Sequence, residues 1–185
     1  EDRHGKLQPH FITFLNLDGD RKGIIREGHQ RVLTARFSDA EFFWNSDQRE
    51  TLDARQERLG QVTYQAELGS YADKVSRMKS IAREICGELE KVQTFTPGNT
   101  ASVMRALDLA KCDLTTQMVQ EFTELQGVVG GLYAAAQGEP KDVSQAIYDH
   151  YKPEGPEDRS PSTRIGAVVA LADKLDSVVG GFAIG

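Results

Sequence analysis

The sequence predicts a mainly α fold with a small N-terminal β element, and three observations carry that prediction. In residues 66–89, Leu68, Ala72, Val75, Met78, Ala82, Ile85 and Leu89 recur every three or four positions, with Asp73, Arg77, Ser80 and Glu84 opposite. That is the spacing of a helix with one buried stripe. From Thr100 to about Phe122, Val103, Leu107, Ala110, Leu114, Met118 and Phe122 repeat the pattern. By contrast, His10–Leu17 is rich in aromatic and β-branched residues and reads as a strand.

The remaining elements follow in order. Asp18-Gly19-Asp20 is a turn signal. Ile25, Val32, Leu33 and Phe37 predict a helix from Gly23 to about Ser46, with Ser38, Asp39 and Glu41 able to start a fresh helix at a bend. Residues 49–60 are charged and read as an exposed short helix or loop. Thr94–Asn99, with Pro97-Gly98, is a loop. Gly127, Gly130 and Gly131 suit close helix packing or a helix end. Pro140 fits the first turn of a helix to about Tyr151, because its missing N–H is unpaired there anyway. Pro153–Pro161 is a polar loop, and a last helix, apolar on most sides, spans Ser162 to about Val179. The expected division is a strand and turn over 1–22, left from a neighbouring domain, and an all-α domain over 23–185.

A chain of 185 residues buries enough surface to fold without staples. Its net charge of −6 excludes a broadly basic nucleic-acid coat, so any nucleic-acid contact must be a local patch. Cys86 and Cys112 are too few for a disulfide framework, and no Cys or His cluster has zinc spacing. Asp173, Lys174 and Asp176 interrupt the longest apolar stretch, so it is no membrane span. The chain lacks an initiator Met, a signal peptide and a polar tail, which reads as a cytosolic piece of a longer protein.

Few residues suggest chemistry by themselves. Asp18-Gly-Asp-Arg-Lys-Gly23 starts like a calcium loop, but Lys22 and His29 stand where oxygen ligands belong, so it reads as a turn. His10 and His29 read as a strand-edge and a helix-surface residue, and His150 as a cation at a helix C-terminus. Asp113 and Asp173 lie inside apolar runs, where a carboxylate is costly unless paired. Each either caps a helix or pairs with Lys or Arg, or else serves metal or phosphate chemistry. Arg31, Arg36, Lys74, Arg77, Lys79 and Arg83 form either solvated helix faces or a patch that grips phosphates.

Five stretches together resemble one family. They are Arg31-Val-Leu-Thr-Ala-Arg-Phe-Ser-Asp-Ala-Glu-Phe-Phe43, Leu68-Gly-Ser-Tyr-Ala-Asp-Lys-Val-Ser-Arg77, Lys111-Cys-Asp-Leu-Thr-Thr-Gln-Met-Val-Gln-Glu-Phe-Thr-Glu-Leu-Gln-Gly127, Ala146-Ile-Tyr-Asp-His-Tyr151 and Leu171-Ala-Asp-Lys-Leu-Asp176. In this order they are similar to the β subunit of the bacterial two-subunit, heterotetrameric glycyl-tRNA synthetase, of which the chain would be an internal fragment. Thr123 departs from that family's usual proline, and His29-Gln30 from its usual Asn-Glu.

The resemblance implies an HD-like helical bundle. HD hydrolases hold metal through a His, a His-Asp pair and a distant Asp. The pair falls on Cys112-Asp113, the distant residue on Asp173 and the leading His near Asp73 or Lys74, so both histidines are missing. Cys112, Asp113 and Asp173 are then expected to be structural, with no metal and no catalytic residue in this fragment. The resemblance further implies glycine–tRNA ligase chemistry in the cytoplasm, with ATP and Mg²⁺ used through the α subunit. Expected partners are that subunit and tRNA(Gly), and no membrane. Arg31, Arg36, Lys74, Arg77 and Lys79 are the candidate tRNA-phosphate contacts. The competing readings are an active metal-dependent HD phosphohydrolase and a purely structural spacer.

Overall fold

Short side-chain caps decide where the helices begin. The structure, a computed structural model, describes residue 6 and residues 8–185. It divides into one unit ending at Glu41 and a second comprising Phe42–Gly185, whereas the sequence places the division after residue 22.

In the first unit, residues 8–20 carry no regular structure, and Ile12 and Phe14 are 91% and 96% exposed. The strand expected over His10–Leu17 does not form. Among the described residues nothing pairs with it, and strand-prone side chains make a strand only where a partner supplies the ladder. Gly19, at φ +128°, lets the chain turn, and Asp20 accepts the Arg26 N–H at 2.8 Å. That bond satisfies one of the open amides at the start of helix α1 (Ile24–Asp47). The helix passes Ser38 without a break, and its C-terminal end belongs to the second unit.

In the second unit, α1 ends at Asp47, which is buried. Its carboxylate accepts the N–H groups of Gln117 and Met118, each at 2.9 Å, and the Tyr133 hydroxyl at 3.1 Å. Residues 49–60, expected to be exposed, instead bury Leu52, Arg55 and Leu59 in a short helix α2 (Leu52–Arg55) and the 3-10 turn after it. The sheet of the described residues lies here: β1 (Thr63–Gln65) runs antiparallel to β2 (Gly69–Ser70).

Helix α3 (Tyr71–Lys91) starts later than its apolar pattern does. Ser70 accepts the Asp73 N–H, and Asp73 accepts the Ser70 N–H at 2.8 Å, a reciprocal capping box. Thr96 and Asn99 do the same for α4 (Pro97–Leu109), with Pro97 in its first turn, so the expected loop is already helix. The helix expected to reach Phe122 stops at Leu109. A 3-10 turn over Cys112–Thr115 and a short α5 (Gln117–Glu121) follow. Thr115 donates to the Cys112 carbonyl and Thr116 caps α5 at Val119, so hydroxyls replace the helical ladder.

Helices α6 (Val128–Ala136), α7 (Lys141–Asp149) and α8 (Arg164–Ala183) complete the unit. The core lies between α3, α4, α7 and α8, with α6 packed on α7. Met78, Ala82, Val103, Leu107, Ile147 and Val169 fill it. Gly131 permits the α6–α7 contact: a Cβ there would lie 2.5 Å from Tyr148 Cβ and 2.8 Å from the Ser144 carbonyl oxygen.

Candidate functional site: a buried ion network

Three segments contribute buried charges to one network. On α3, Met78, Ala82 and Cys86 are buried four residues apart, and Lys74 stands one step earlier, 2% exposed. On α4, Val103 and Leu107 lead by the same step to Lys111, just past the helix end. On α8, Val169 leads to Asp173 and Ala172 to Asp176. The fold brings these charges together. Lys111 Nζ is 2.7 Å from Asp173 Oδ2. Lys74 Nζ is 2.8 Å from Asp173 Oδ1 and 3.1 Å from Asp176 Oδ2, and it donates to Ser177 Oγ at 2.8 Å. Arg77 closes the set through Nε to Asp176 Oδ1 at 2.6 Å and Nη1 to the Leu68 carbonyl at 2.9 Å. Each ammonium also faces an aromatic ring, Lys74 at 4.3 Å from the Tyr64 centroid and Lys111 at 3.8 Å from that of Tyr151.

His150 is buried beside Lys111, not a cation at a helix end as the sequence suggests. Its Nδ1–H donates to the Ile147 carbonyl at 2.6 Å, which leaves Nε2 to accept from Lys111 Nζ at 2.9 Å. Burial, and then the Lys111 charge, lower its pKa to about 3, so the ring is neutral. Burial likewise lowers Lys111 to about 8 against the pull of Asp173. For Asp173 burial works upward, but the Lys111 and Lys74 charges overcome it and hold the carboxyl at about 2.

Asp113 has a separate role. Its Oδ2 accepts the Gly127 N–H at 2.5 Å and the Gly130 N–H at 3.2 Å, capping α6. Gly127 sits at φ +79°, where a side chain would strain, and a Cβ would lie 2.6 Å from Tyr151. Burial raises the Asp113 pKa to about 6, and its Oδ1 is buried without a hydrogen-bond partner. Cys112 is buried with its thiol pushed up to about 12, and its Sγ lies 3.4 Å from the Asp108 carbonyl.

These residues do not fit a divalent ion. Both Asp173 oxygens face ammonium groups, the His150 lone pair accepts from Lys111, and Asp113 Oδ2 is spent on backbone amides, which leaves Asp113 Oδ1 as a lone donor. A cation held between Asp113 and Asp173 would have to share its ligands with two fixed positive charges.

The candidate phosphate contacts are divided between the two units. Arg31 and Arg36 are exposed on α1 in the first unit. The other three lie in the second unit. Lys74 is interior, a correction to its reading as a phosphate contact: burial is tolerated because two carboxylates receive its charge. Arg77, its side chain 37% exposed, is engaged by Asp176, and Lys79 by Asp108. The sequence reading missed Lys111, His150 and Asp176 as members of the site. The signal was a Lys or Asp at helical spacing from fully apolar positions.

Comparisons with known proteins place this helical module among the aminoacyl-tRNA synthetases. The family model described as "Glycyl-tRNA synthetase beta subunit" matches residues 1–185, and the chain belongs to that family. It is 48% identical to the glycine–tRNA ligase beta subunit of Acidobacterium capsulatum over 187 residues, covering 100% of this chain and 26% of that protein. The corresponding subunit of Oceanobacillus iheyensis is 44% identical over 183 residues, 99% of this chain and 26% of that protein. That of Syntrophotalea carbinolica is 45% identical over 184 residues, 100% of this chain and 26% of that protein. The chain thus spans about a quarter of the length of these relatives. Among the described residues no helix is long and apolar enough to cross a membrane.

Proposed function

We propose that this chain is a non-catalytic helical module of a glycine–tRNA ligase β subunit. It supports tRNA(Gly) binding and assembly with the α subunit during ATP-dependent glycyl-tRNA synthesis in the cytoplasm. ATP and Mg²⁺ are used through the α subunit. The observation that carries this reading is the occupation of Asp173 by Lys74 and Lys111. Carboxylates spent on ammonium groups of the same chain tie α3, the end of α4 and α8 together and are not free to activate water. The proposed phosphate contacts are Arg31 and Arg36, both exposed on α1, together with Arg77 and Lys79 where a phosphate displaces their carboxylates.

The test is tRNA(Gly) binding by the full-length α and β pair across a salt series. Arg31→Glu with Arg36→Glu is expected to weaken binding and to make the salt dependence shallower by about two units in log K against log salt. Unchanged affinity and slope would remove these arginines from the interface.

A further inference from the structure

A cleft of about 490 Å³ opens beside the ion network, between β1, the start of α3 and α8. Three tyrosines, Tyr64, Tyr71 and Tyr151, supply its flat walls, and three lysines against one aspartate give it a cationic excess. Lys74 and Lys111 are at its floor, already engaged by Asp173. Lys174 stands higher, its ammonium held by the Tyr151 carbonyl at 2.9 Å. Tyr64 and Tyr71 meet edge to face with centroids 5.3 Å apart, and both rings are only partly buried. Among the described residues, no hydrogen bond reaches the Tyr71 hydroxyl or the Gln126 side-chain nitrogen, while the Gln126 oxygen accepts from Tyr151.

Flat aromatic walls, excess positive charge and unspent polar groups at one rim suit a ligand with a planar heterocycle and an anionic tail. An acidic peptide would use the charge but not the parallel demand for a flat ring. Bases of unpaired strands meet proteins in this way, stacked on aromatic side chains with phosphates near cations. We propose that this cleft takes one unpaired nucleotide of an RNA strand, its base against Tyr64 and Tyr71 and its phosphate toward Lys174. This rests on the RNA-handling reading above and names the part of the RNA concerned.

The experiment uses the full-length subunit, a fluorescent single-stranded RNA octamer, the same strand in a blunt duplex, and intact tRNA. Tyr71→Ala is expected to weaken octamer binding about tenfold, Tyr71→Phe to restore it to within about twofold, and neither to change duplex binding. Because Tyr71→Ala could disturb α3, wild-type protein is also photocrosslinked to a 4-thiouridine octamer, with adducts expected at Tyr64 or Tyr71. Octamer binding indifferent to Tyr71→Ala, or adducts only elsewhere, overturns the cleft assignment while leaving tRNA binding intact. Failure of wild-type protein to bind the octamer also overturns it and leaves the cleft to a protein ligand. Failure to bind tRNA as well removes the RNA reading itself.

Discussion

Asp173 sets the charge balance of the interior. Without its carboxylate, Lys111 keeps only the neutral His150 ring and the Tyr151 face, and Lys74 keeps Asp176. Asp173→Ala is expected to cost about 3–5 kcal/mol in urea unfolding, the usual penalty for stranding a buried charge. A loss below about 1 kcal/mol would show that the lysines find water or other partners. His150 predicts a pH effect. Its ordinary pKa of about 6.5 applies in the unfolded chain, and about 3 applies in the fold, so unfolding takes up a proton between those values. Its stabilising contribution is complete above about pH 6.5 and is lost as the pH falls toward 3. Asp113 acts in the opposite sense between about pH 4 and 6, because its carboxyl is raised in the fold. Comparing wild type with His150→Gln cancels that term. Wild type should lose stability relative to the variant by up to about 1.4 kcal/mol per pH unit between pH 6 and 4, and parallel curves would contradict the buried neutral ring. Asp113 and Asp173 were legible in the sequence as carboxylates inside apolar runs. Their partners were not, because a helix cap formed by Gly127 and an ion pair 62 residues away in sequence leave no local pattern.

At the scale of the elements, Gly131 allows a close contact between α6 and α7. Gly131→Ala must push Tyr148 or the Ser144 backbone aside and is expected to cost about 1–3 kcal/mol by thermal or chemical unfolding. Gly181→Ala, in the exposed last turns of α8 with open space around it, should be neutral or gain up to about 1 kcal/mol. Equal effects at the two sites would mean that α6 and α7 can separate cheaply. The sequence places the start of α3 near residue 66 and a loop over Thr94–Asn99, and so passes over the three-residue spacing of reciprocal caps in Ser70 with Asp73 and Thr96 with Asn99. The helix end at Leu109 was not legible. The apolar stripe continues through Met118, which is indeed buried, but on a separate helix. Periodicity reports which side chains face the core, not whether the backbone between them is continuous.

For the whole molecule, net charge proved a poor guide to what any one cation does. Lys74, Lys111 and Arg55 are all buried, so part of the chain's positive charge works inside the fold. The mainly α character was legible because helical repeats dominate the length. The division at Glu41 was not, because it falls within one unbroken helix. The strand over His10–Leu17 was misread for a related reason: composition describes a segment, and pairing depends on a partner the described residues do not supply. The ion network also orders the protein's biogenesis. Lys74 leaves the ribosome 99 residues ahead of Asp173, and Lys111 leaves 62 ahead. Until α8 emerges, both ammonium groups must stay hydrated, and the cavity they will occupy cannot dry. Helix α8, the last of the three charged segments to be made, therefore acts as a closing bolt for this interior.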